Sequence, residues 1–492
     1  MSESRNIQAG ARYDVVVLGA GPAGTNVADR ARAAGLSVAV VERELVGGDC
    51  AYWACVPSKA LLRPVIALAD ARRVDGARQA VSGQVDADGV FARRNRSVRD
   101  WDDTRQALFL KSIGADLFRG HGRLYGPRRV SVSRDDGTRQ TLTARHAVAV
   151  ATGSRPALPD IPGIAEARPW TNREGTDSSS VPARLAIIGG GGVGIEMATL
   201  WQGLGSQVTL LVRRRLIPRM EPFAGELVAQ GLKKAGADVR AGVQVTALHR
   251  PDPRGPVTLA FDDGGQLEAD EVLCATGRTP ATDDIGLDTV GLTPGSWLDV
   301  DTTCLVQGVD DHWLYALGDV NHRALLTHQG KYQARTAGDA IGARAAGRPL
   351  DDTPWGDHAT TADEHAVPQV FFSDPEAAAV GLNAEQAERA GYRIKTVDLD
   401  FDAAQGANLY ADGYQGHARL VVDLDREVLV GATFVGPGVS ELLHSATIAV
   451  SGEIPLKRLR HAVAPFPTIS EIWLFLLAAY QRDSERACQP NG

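Results

Sequence analysis

Tyr13-Asp-Val-Val-Val-Leu-Gly19-Ala-Gly21-Pro-Ala-Gly24-Thr-Asn-Val-Ala-Asp-Arg30 is the stretch that decides the fold. A short apolar, β-branched run of the kind a buried parallel strand shows ends in a glycine-rich turn, and an alanine-rich helical stretch follows. Ser37 to Val41 reads as a second strand and ends at Glu42, which completes one βαβ unit. The same grammar returns in Arg184-Leu-Ala-Ile-Ile188, Gly189-Gly-Gly191-Gly-Val-Gly194, a helix through Leu204 and a strand from Gln207 to Val212. Two units of one type, about 170 residues apart, predict two separate domains.

Each glycine has a physical task. Gly19 makes the tight turn, Gly21 lets backbone amides approach a pyrophosphate, and Gly24 allows close helix–strand packing, with the helix N-terminus facing the phosphates. Glu42, at a strand end 18 residues after Gly24, is placed for a pair of ribose hydroxyls. In the second unit the corresponding strand end is Val212, followed by Arg213, Arg214 and Arg215. An acid there would bind a free 2′-hydroxyl and repel a 2′-phosphate, whereas arginine forks bind the phosphate. The second nucleotide is therefore expected to be NADP(H) in preference to NAD(H).

Composition bounds the alternatives. The chain has 492 residues, 44% hydrophobic and 23% charged, with a formal net charge of -8, which leaves no electrostatic footprint for nucleic acid. No stretch reaches the roughly 18 to 20 uncharged apolar residues of a membrane span, and the first dozen residues carry no signal-peptide core. Five cysteines are too few and odd in number for a secreted disulfide scaffold, so a cytoplasmic protein is expected. Ala281 to Asp352 reads as less regular, and Pro349-Leu-Asp-Asp-Thr-Pro354 as a linker. Strands at Pro368 to Phe372, Arg419 to Asp423 and Val428 to Val435, with helices at Ser440 to Val450 and Thr468 to Tyr480, predict a closing α+β domain.

Gly47-Gly48-Asp-Cys50-Ala-Tyr-Trp-Ala-Cys55-Val-Pro57-Ser-Lys59 follows Glu42. Cysteines five apart lie about 7.5 Å along an ideal helix axis and about 140° around it, so a bond between them needs a distorted turn. Alone, such a pair is more often two buried thiols. Together with the two glycine turns, Ala151-Thr152-Gly153-Ser-Arg-Pro156, Ala275-Thr-Gly277-Arg-Thr-Pro280, Tyr315-Ala-Leu-Gly318-Asp319 and Asp374-Pro-Glu376, however, the chain to about Tyr480 resembles the pyridine nucleotide-disulfide oxidoreductases. That is the family of dihydrolipoamide dehydrogenase, glutathione reductase and mercuric reductase.

The resemblance implies an α/β fold with two Rossmann-like nucleotide-binding domains and a C-terminal α+β dimerisation domain, forming a homodimer. Its segments would be 1–160 (first part of the FAD domain), 161–282 (NAD(P)H domain), 283–352 (a central segment completing the FAD site), 353–482 (dimerisation) and 483–492 (a disordered tail). FAD would be held by the first fingerprint, Glu42, Thr152, Gly153 and Asp319, the last on the ribityl chain. NADPH, with NADH less favoured, would be held by Gly189, Gly191, Gly194, Gly277, Arg213 and Arg219. Cys55 would be the sulfur next to the flavin and Cys50 the one exchanging with substrate, while Lys59 and Glu196 match a pair near the flavin's reactive nitrogen.

The pattern breaks at one place. Where the family carries His-Pro-Thr-x-x-Glu, its base and the acid that orients it, this chain has Phe466-Pro467-Thr468-Ile-Ser-Glu471. A general base contributes about 10²- to 10⁴-fold, and a phenyl ring can neither take nor give a proton. His461, five residues upstream, is too far along an extended segment to be the expected substitute. Cys488 is single in a polar tail, which argues against mercury reduction, and no metal site is expected. Cys274 and Cys304 have no partner signature, Cys274 in an apolar strand reads as a core residue, and His322 and His328 read as structural. The expectation is an FAD-dependent NAD(P)H oxidoreductase relaying electrons through a Cys50–Cys55 disulfide to a disulfide or other small acceptor. The alternatives are a quinone or diaphorase-type reductase acting directly from flavin, a dihydrolipoyl dehydrogenase-like activity, and a redox-sensing flavoprotein with a decayed site.

Overall fold

The computed structural model describes residues 7–488 and divides the chain into two compact units. The first comprises Met1–Pro57, Asn95–Pro156 and Arg278–Glu364; the second comprises Ser58–Arg94, Ala157–Gly277 and His365–Gly492.

A seven-stranded sheet centres the first unit. Ile7–Leu18 lies between Val38–Glu42 and Arg139–Val150, all parallel, with Asp116–Arg119 beyond Val38–Glu42 and Leu314–Ala316 beside the end of Arg139–Val150. Val15, Val16 and Val17 are fully buried, which is why this run reads as continuously apolar. Parallel strands share one carboxyl edge. There Leu18 leads into Gly19, Val150 into Ala151-Thr152-Gly153, and Ala316 into Gly318-Asp319. The amide of Ala151 donates to the carbonyl of Leu18 at 2.8 Å, and that of Leu317 to Val150 at 2.9 Å, which locks the three loop starts side by side.

The region 281–352 is more ordered than its sequence suggests. It holds the strand Leu314–Ala316 and a 19-residue helix, Thr327–Ala345. That helix is buried at Gln329, Gly330, Gln333, Ala334, Ala337, Gly338 and Ile341 among others, so it has little of the one-sided apolar stripe by which a helix is read.

The second unit repeats the first motif in a four-stranded parallel sheet: Asp238–Ala241, Gln207–Val212, Arg184–Ile188 and Glu271–Cys274. A five-stranded antiparallel sheet follows, with Val428–Gly436 buried along its whole length between Glu376–Gly381 and His417–Asp423. The stretch 58–94, grouped by sequence with the first domain, clusters here because Leu61 and Leu62 pack with Leu200, Trp201 and Phe371. The last helix, Ile472–Cys488, runs past the point where a disordered tail was expected to begin, and 489–492 lie outside the described residues.

One charged cluster ties strands of this unit together. Asp398 accepts hydrogen bonds from Arg419 Nε at 2.7 Å and His417 Nε2 at 3.0 Å, His417 Nδ1 faces Asp400 at 2.7 Å, and Arg419 Nη1 donates to the buried Glu221 at 2.9 Å. The hydrogen bond to Asp398 leads in raising the pKa of His417 above its ordinary 6.5. A pKa raised on folding stabilises fully below the unfolded value, and that stabilisation is lost as pH climbs through the folded value. His417→Gln should therefore lower the thermal midpoint most near pH 6, on the order of 2 °C, and progressively less toward pH 9. A calorimetric pH series with a constant difference would contradict this assignment.

Candidate active site

In the first unit the glycine turn is sterically determined. Gly19 has φ +96°, and a Cβ there would lie 2.5 Å from the carbonyl oxygen of Ala151. A Cβ on Gly24 would lie 1.9 Å from the carbonyl oxygen of Gly19, so the helix Pro22–Ala33 can sit this close only with glycine there. Gly21 is that helix's N-cap and receives no side-chain cap, and a Cβ on it would meet no protein atom within 4 Å. The first-turn amides are thus open to an anion. Glu42 is braced at this turn: its Oε2 accepts from the amide of Ala20 and its Oε1 from that of Glu44, each at 2.7 Å. Burial raises its pKa, and these amides oppose the rise.

Asp319 is held from one side. It accepts from Ser154 Oγ, which in turn accepts from Arg278 Nε at 2.7 Å. Burial raises the Asp319 pKa, while Ser154 and Arg278 work against it. The turn that carries Asp319 is anchored to the helix Thr327–Ala345, since Gln333 Oε1 accepts from the amide of Gly318 at 2.7 Å and from Asn321 Nδ2 at 2.9 Å. Gln333 Nε2 donates to Asp363 at 2.8 Å, whose carboxyl burial pushes up to about 6. Thr152 Oγ1 is buried with no hydrogen-bond partner among the described residues. An uncapped helix start, an open glycine and an orphaned hydroxyl on one sheet edge fit the pyrophosphate and ribityl groups of FAD.

The two thiols meet because the helix carrying the first is broken before the second. Gly48–Tyr52 ends at Trp53, φ −136°, and a new helix begins at Cys55, so the regular 140° offset does not apply. Both cysteines are partly buried, Cys50 hydrogen-bonds to Cys55, and Cys55 Sγ lies 3.3 Å from Thr327 Oγ1. The Cys55 contact, then burial, raise the Cys50 pKa, and Thr327 and Lys331 act in the opposite direction. Two thiols so close share one proton once the first ionises.

The second unit repeats the turn: Gly189 has φ +121°, a Cβ on Gly194 would lie 1.9 Å from the Gly189 oxygen, and one on Gly191 would meet nothing within 4 Å. Thr276 Oγ1 donates to Ala157 O at 2.7 Å beside Gly277. Val212 ends its strand, and the exposed Arg213, Arg214 and Arg219 side chains form no ion pair among the described residues. Lys59 Nζ is 2.6 Å from Glu196 Oε2 and 5.0 Å from the centre of the Phe372 ring, while Glu196, 7% exposed, also accepts from the amide of Phe372.

Phe466 is 74% exposed and followed by a cis bond to Pro467. Glu471 is buried and accepts from the amide of Gly406 at 2.9 Å. His461 is exposed in the turn two residues beyond the short helix Leu456–Leu459. Cys274 and Cys304 are buried, and burial pushes the Cys274 thiol up to about 12. His322 stacks on Trp297 with ring centres 4.2 Å apart. Ser154 and Arg278 stand inside quoted motifs with no role assigned to them, and Thr327 and Lys331 lie in no motif at all. Hydroxyls and cations without a motif around them give no signal until the sheet edge assembles them.

The chain matches the family profile described as pyridine nucleotide-disulphide oxidoreductase over residues 13–340, and the dimerisation domain of the same family over 367–474. It is 33% identical over 472 residues to dihydrolipoyl dehydrogenase 3 of Pseudomonas aeruginosa, covering 93% of this chain and 96% of the relative. It is 30% identical over 482 residues to a mercuric reductase of Staphylococcus aureus, covering 97% and 84%. The HOCl-induced flavoprotein disulfide reductase RclA of Escherichia coli, solved as a Cu(II) complex, shares the fold with a TM-score of 0.80 at 23% identity, over 95% of this chain and 99% of that one.

The glycine geometry separates folding from binding. Gly21→Ala should fold normally by circular dichroism yet retain FAD at least about tenfold more weakly, about 1.4 kcal/mol, because the new methyl occupies the anion's approach. Gly24→Ala should instead fail to accumulate as folded protein. Undiminished flavin retention in Gly21→Ala, read by absorbance after gel filtration, would refute the cradle.

Proposed function

The chain belongs to the pyridine nucleotide-disulphide oxidoreductases, an FAD-dependent family that uses pyridine nucleotides, and from that premise we propose that it passes two electrons from NADPH through FAD to a Cys50–Cys55 disulfide and on to a small disulfide or other small acceptor. The observation that carries the reading is the contact of the two sulfurs with each other and with Thr327. When bound, FAD takes a hydride equivalent from reduced nicotinamide and can deliver two electrons to a disulfide. Glu42 and the open amides around Gly21 would orient the dinucleotide, and Asp319, braced by Ser154 and Arg278, would hold the ribityl chain. Lys59, steadied by Glu196, fits the part of a fixed cation.

The choice of NADPH rests on Arg213 and Arg219, whose guanidinium groups are exposed and uncommitted among the described residues, and on Val212 where an acid would select NADH. Homodimerisation is part of the same reading, supported by the dimerisation-domain match and by exposed Ile448, Val463, Phe466 and Leu474 in that region. Phe466 argues against an acceptor that needs a histidine base, and Glu471 already binds a backbone amide. The exposed phenyl ring equally favours a second reading, a flat apolar wall for a quinone-type acceptor reduced straight from flavin.

Stopped-flow reduction separates the two. Under the relay, Cys50→Ser and Cys55→Ser should each take up two fewer electrons per subunit and lose at least about 10²-fold in disulfide turnover. Undiminished turnover in both would leave direct flavin reduction as the activity. Arg213→Ala combined with Arg219→Ala should raise the KM for NADPH by about ten- to a hundredfold, as expected for charge-assisted hydrogen bonds of about 1.5–3 kcal/mol. The NADH parameters should stay within about twofold; equal losses with both nucleotides would remove the phosphate-reading role.

A further inference from the structure

The dithiol has no histidine at position 466 to take its second proton. We propose that Lys331 supplies what is missing as charge instead of as a base, holding the thiolate of Cys50 in the reduced pair. The inference rests on the disulfide relay proposed above.

The geometry begins with Thr327, the first residue of the helix Thr327–Ala345, whose hydroxyl lies 3.3 Å from Cys55 Sγ and also hydrogen-bonds to Cys50. Lys331 is four residues on, hence on the same helix face. Long helical side chains lean toward the N-terminus and cover the preceding turn, so this spacing puts Lys331 within reach of the turn that begins at Thr327. Lys331 is exposed and has no ion pair among the described residues, so its charge is not spent on a carboxylate. Its field favours the Cys50 thiolate, against the larger opposing effects of Cys55 and burial.

Neither Asp49 nor His328 supplies this charge. Asp49, the chain neighbour of Cys50, is paired with Arg278 at 3.2 Å, which cancels both. His328 is exposed and follows Thr327, but it is turned about 100° around the helix from the Thr327–Lys331 face. The remaining hydroxyl, Thr327, carries no charge. The uncapped start of the helix adds its partial positive end to the same side.

The exchange then proceeds without a general base. The Cys50 proton leaves to water, and the thiolate attacks one sulfur of an acceptor disulfide. A Cys50–acceptor S–S bond forms, the acceptor's own S–S bond breaks, and one acceptor thiolate departs and is protonated by water. Cys55 then loses its own proton to water, and its thiolate attacks the Cys50 sulfur, which closes the Cys50–Cys55 disulfide and expels the second acceptor thiolate, protonated in turn by water. Two electrons pass from the dithiol to the acceptor, and NADPH restores them through the holoenzyme.

The test uses FAD-loaded protein carrying Cys55→Ser, so that Cys50 is the pair's remaining thiol. Iodoacetamide labelling of Cys50 is read by peptide mass spectrometry from about pH 5 to about pH 10. Added Lys331→Gln should move the midpoint upward by about 0.5 to 1 pH unit, while Lys331→Arg keeps it and His328→Asn leaves it in place. An unmoved midpoint in Lys331→Gln, an equal rise in Lys331→Arg, or the same rise in His328→Asn would each overturn the assignment. Failure of the relay itself shows elsewhere: NADPH would then generate no new alkylatable Cys50 and Cys55 in the otherwise unaltered enzyme.

Discussion

The carbonyl oxygen of Gly19 stands 1.9 Å from where a Cβ on Gly24 would be, and that of Gly189 stands in the same relation to Gly194. No side chain fits in that gap, and the helix after each strand therefore begins almost in contact with the strand's end. The close start aims free amides at the sheet's carboxyl edge and leaves the space beside Gly21 and Gly191 clear. Because neighbouring strands are parallel, their ends deliver Thr152 and Asp319 to the same edge in the first unit. One steric constraint, used twice, thus sets where a dinucleotide can lie in each unit.

Around that edge the polar groups are buried or half-buried and paired in chains. Arg278, Ser154 and Asp319 form one, and Asp363, Gln333 and Gly318 another. Buried polar networks of this kind fix geometry more than they add net stability, since each member satisfies a group that would otherwise be costly to bury. The orphaned hydroxyl of Thr152 is the exception on the same edge.

Much of this was legible in the sequence because it depends on local grammar. The strand–glycine–helix runs at Tyr13 and Arg184 are each continuous, and their periodicity survives in isolation. The helix Thr327–Ala345 was not legible. Its Gly330, Ala334, Gly338 and Gly342 form a small-residue stripe where a Cβ on Gly338 would come within 2.5 Å of Arg30 and one on Gly342 within 2.7 Å of Ala34, so it packs by closeness instead of by a row of large apolar side chains. The grouping of 58–94 was equally hidden, since it depends on Leu61 and Leu62 meeting residues more than 100 positions away. Phe466 could be read from one motif, but the residues that surround the thiols could not. Thr327 is 272 positions from Cys55, and only the folded sheet edge joins them.

The helix Thr327–Ala345 also acts as a ruler. Its first residue touches the sulfurs, and its seventh, Gln333, grips the turn that carries Asp319. Six residues of helix span about 9 Å whatever the loops around them do. The spacing between the thiol pair and the Asp319 turn is therefore set by helical pitch, and an inserted or deleted residue there would swing Gln333 about 100° off its mark. The loop at Pro349–Pro354 has no such duty, so drift in length during evolution has room there and none in the first two turns of this helix.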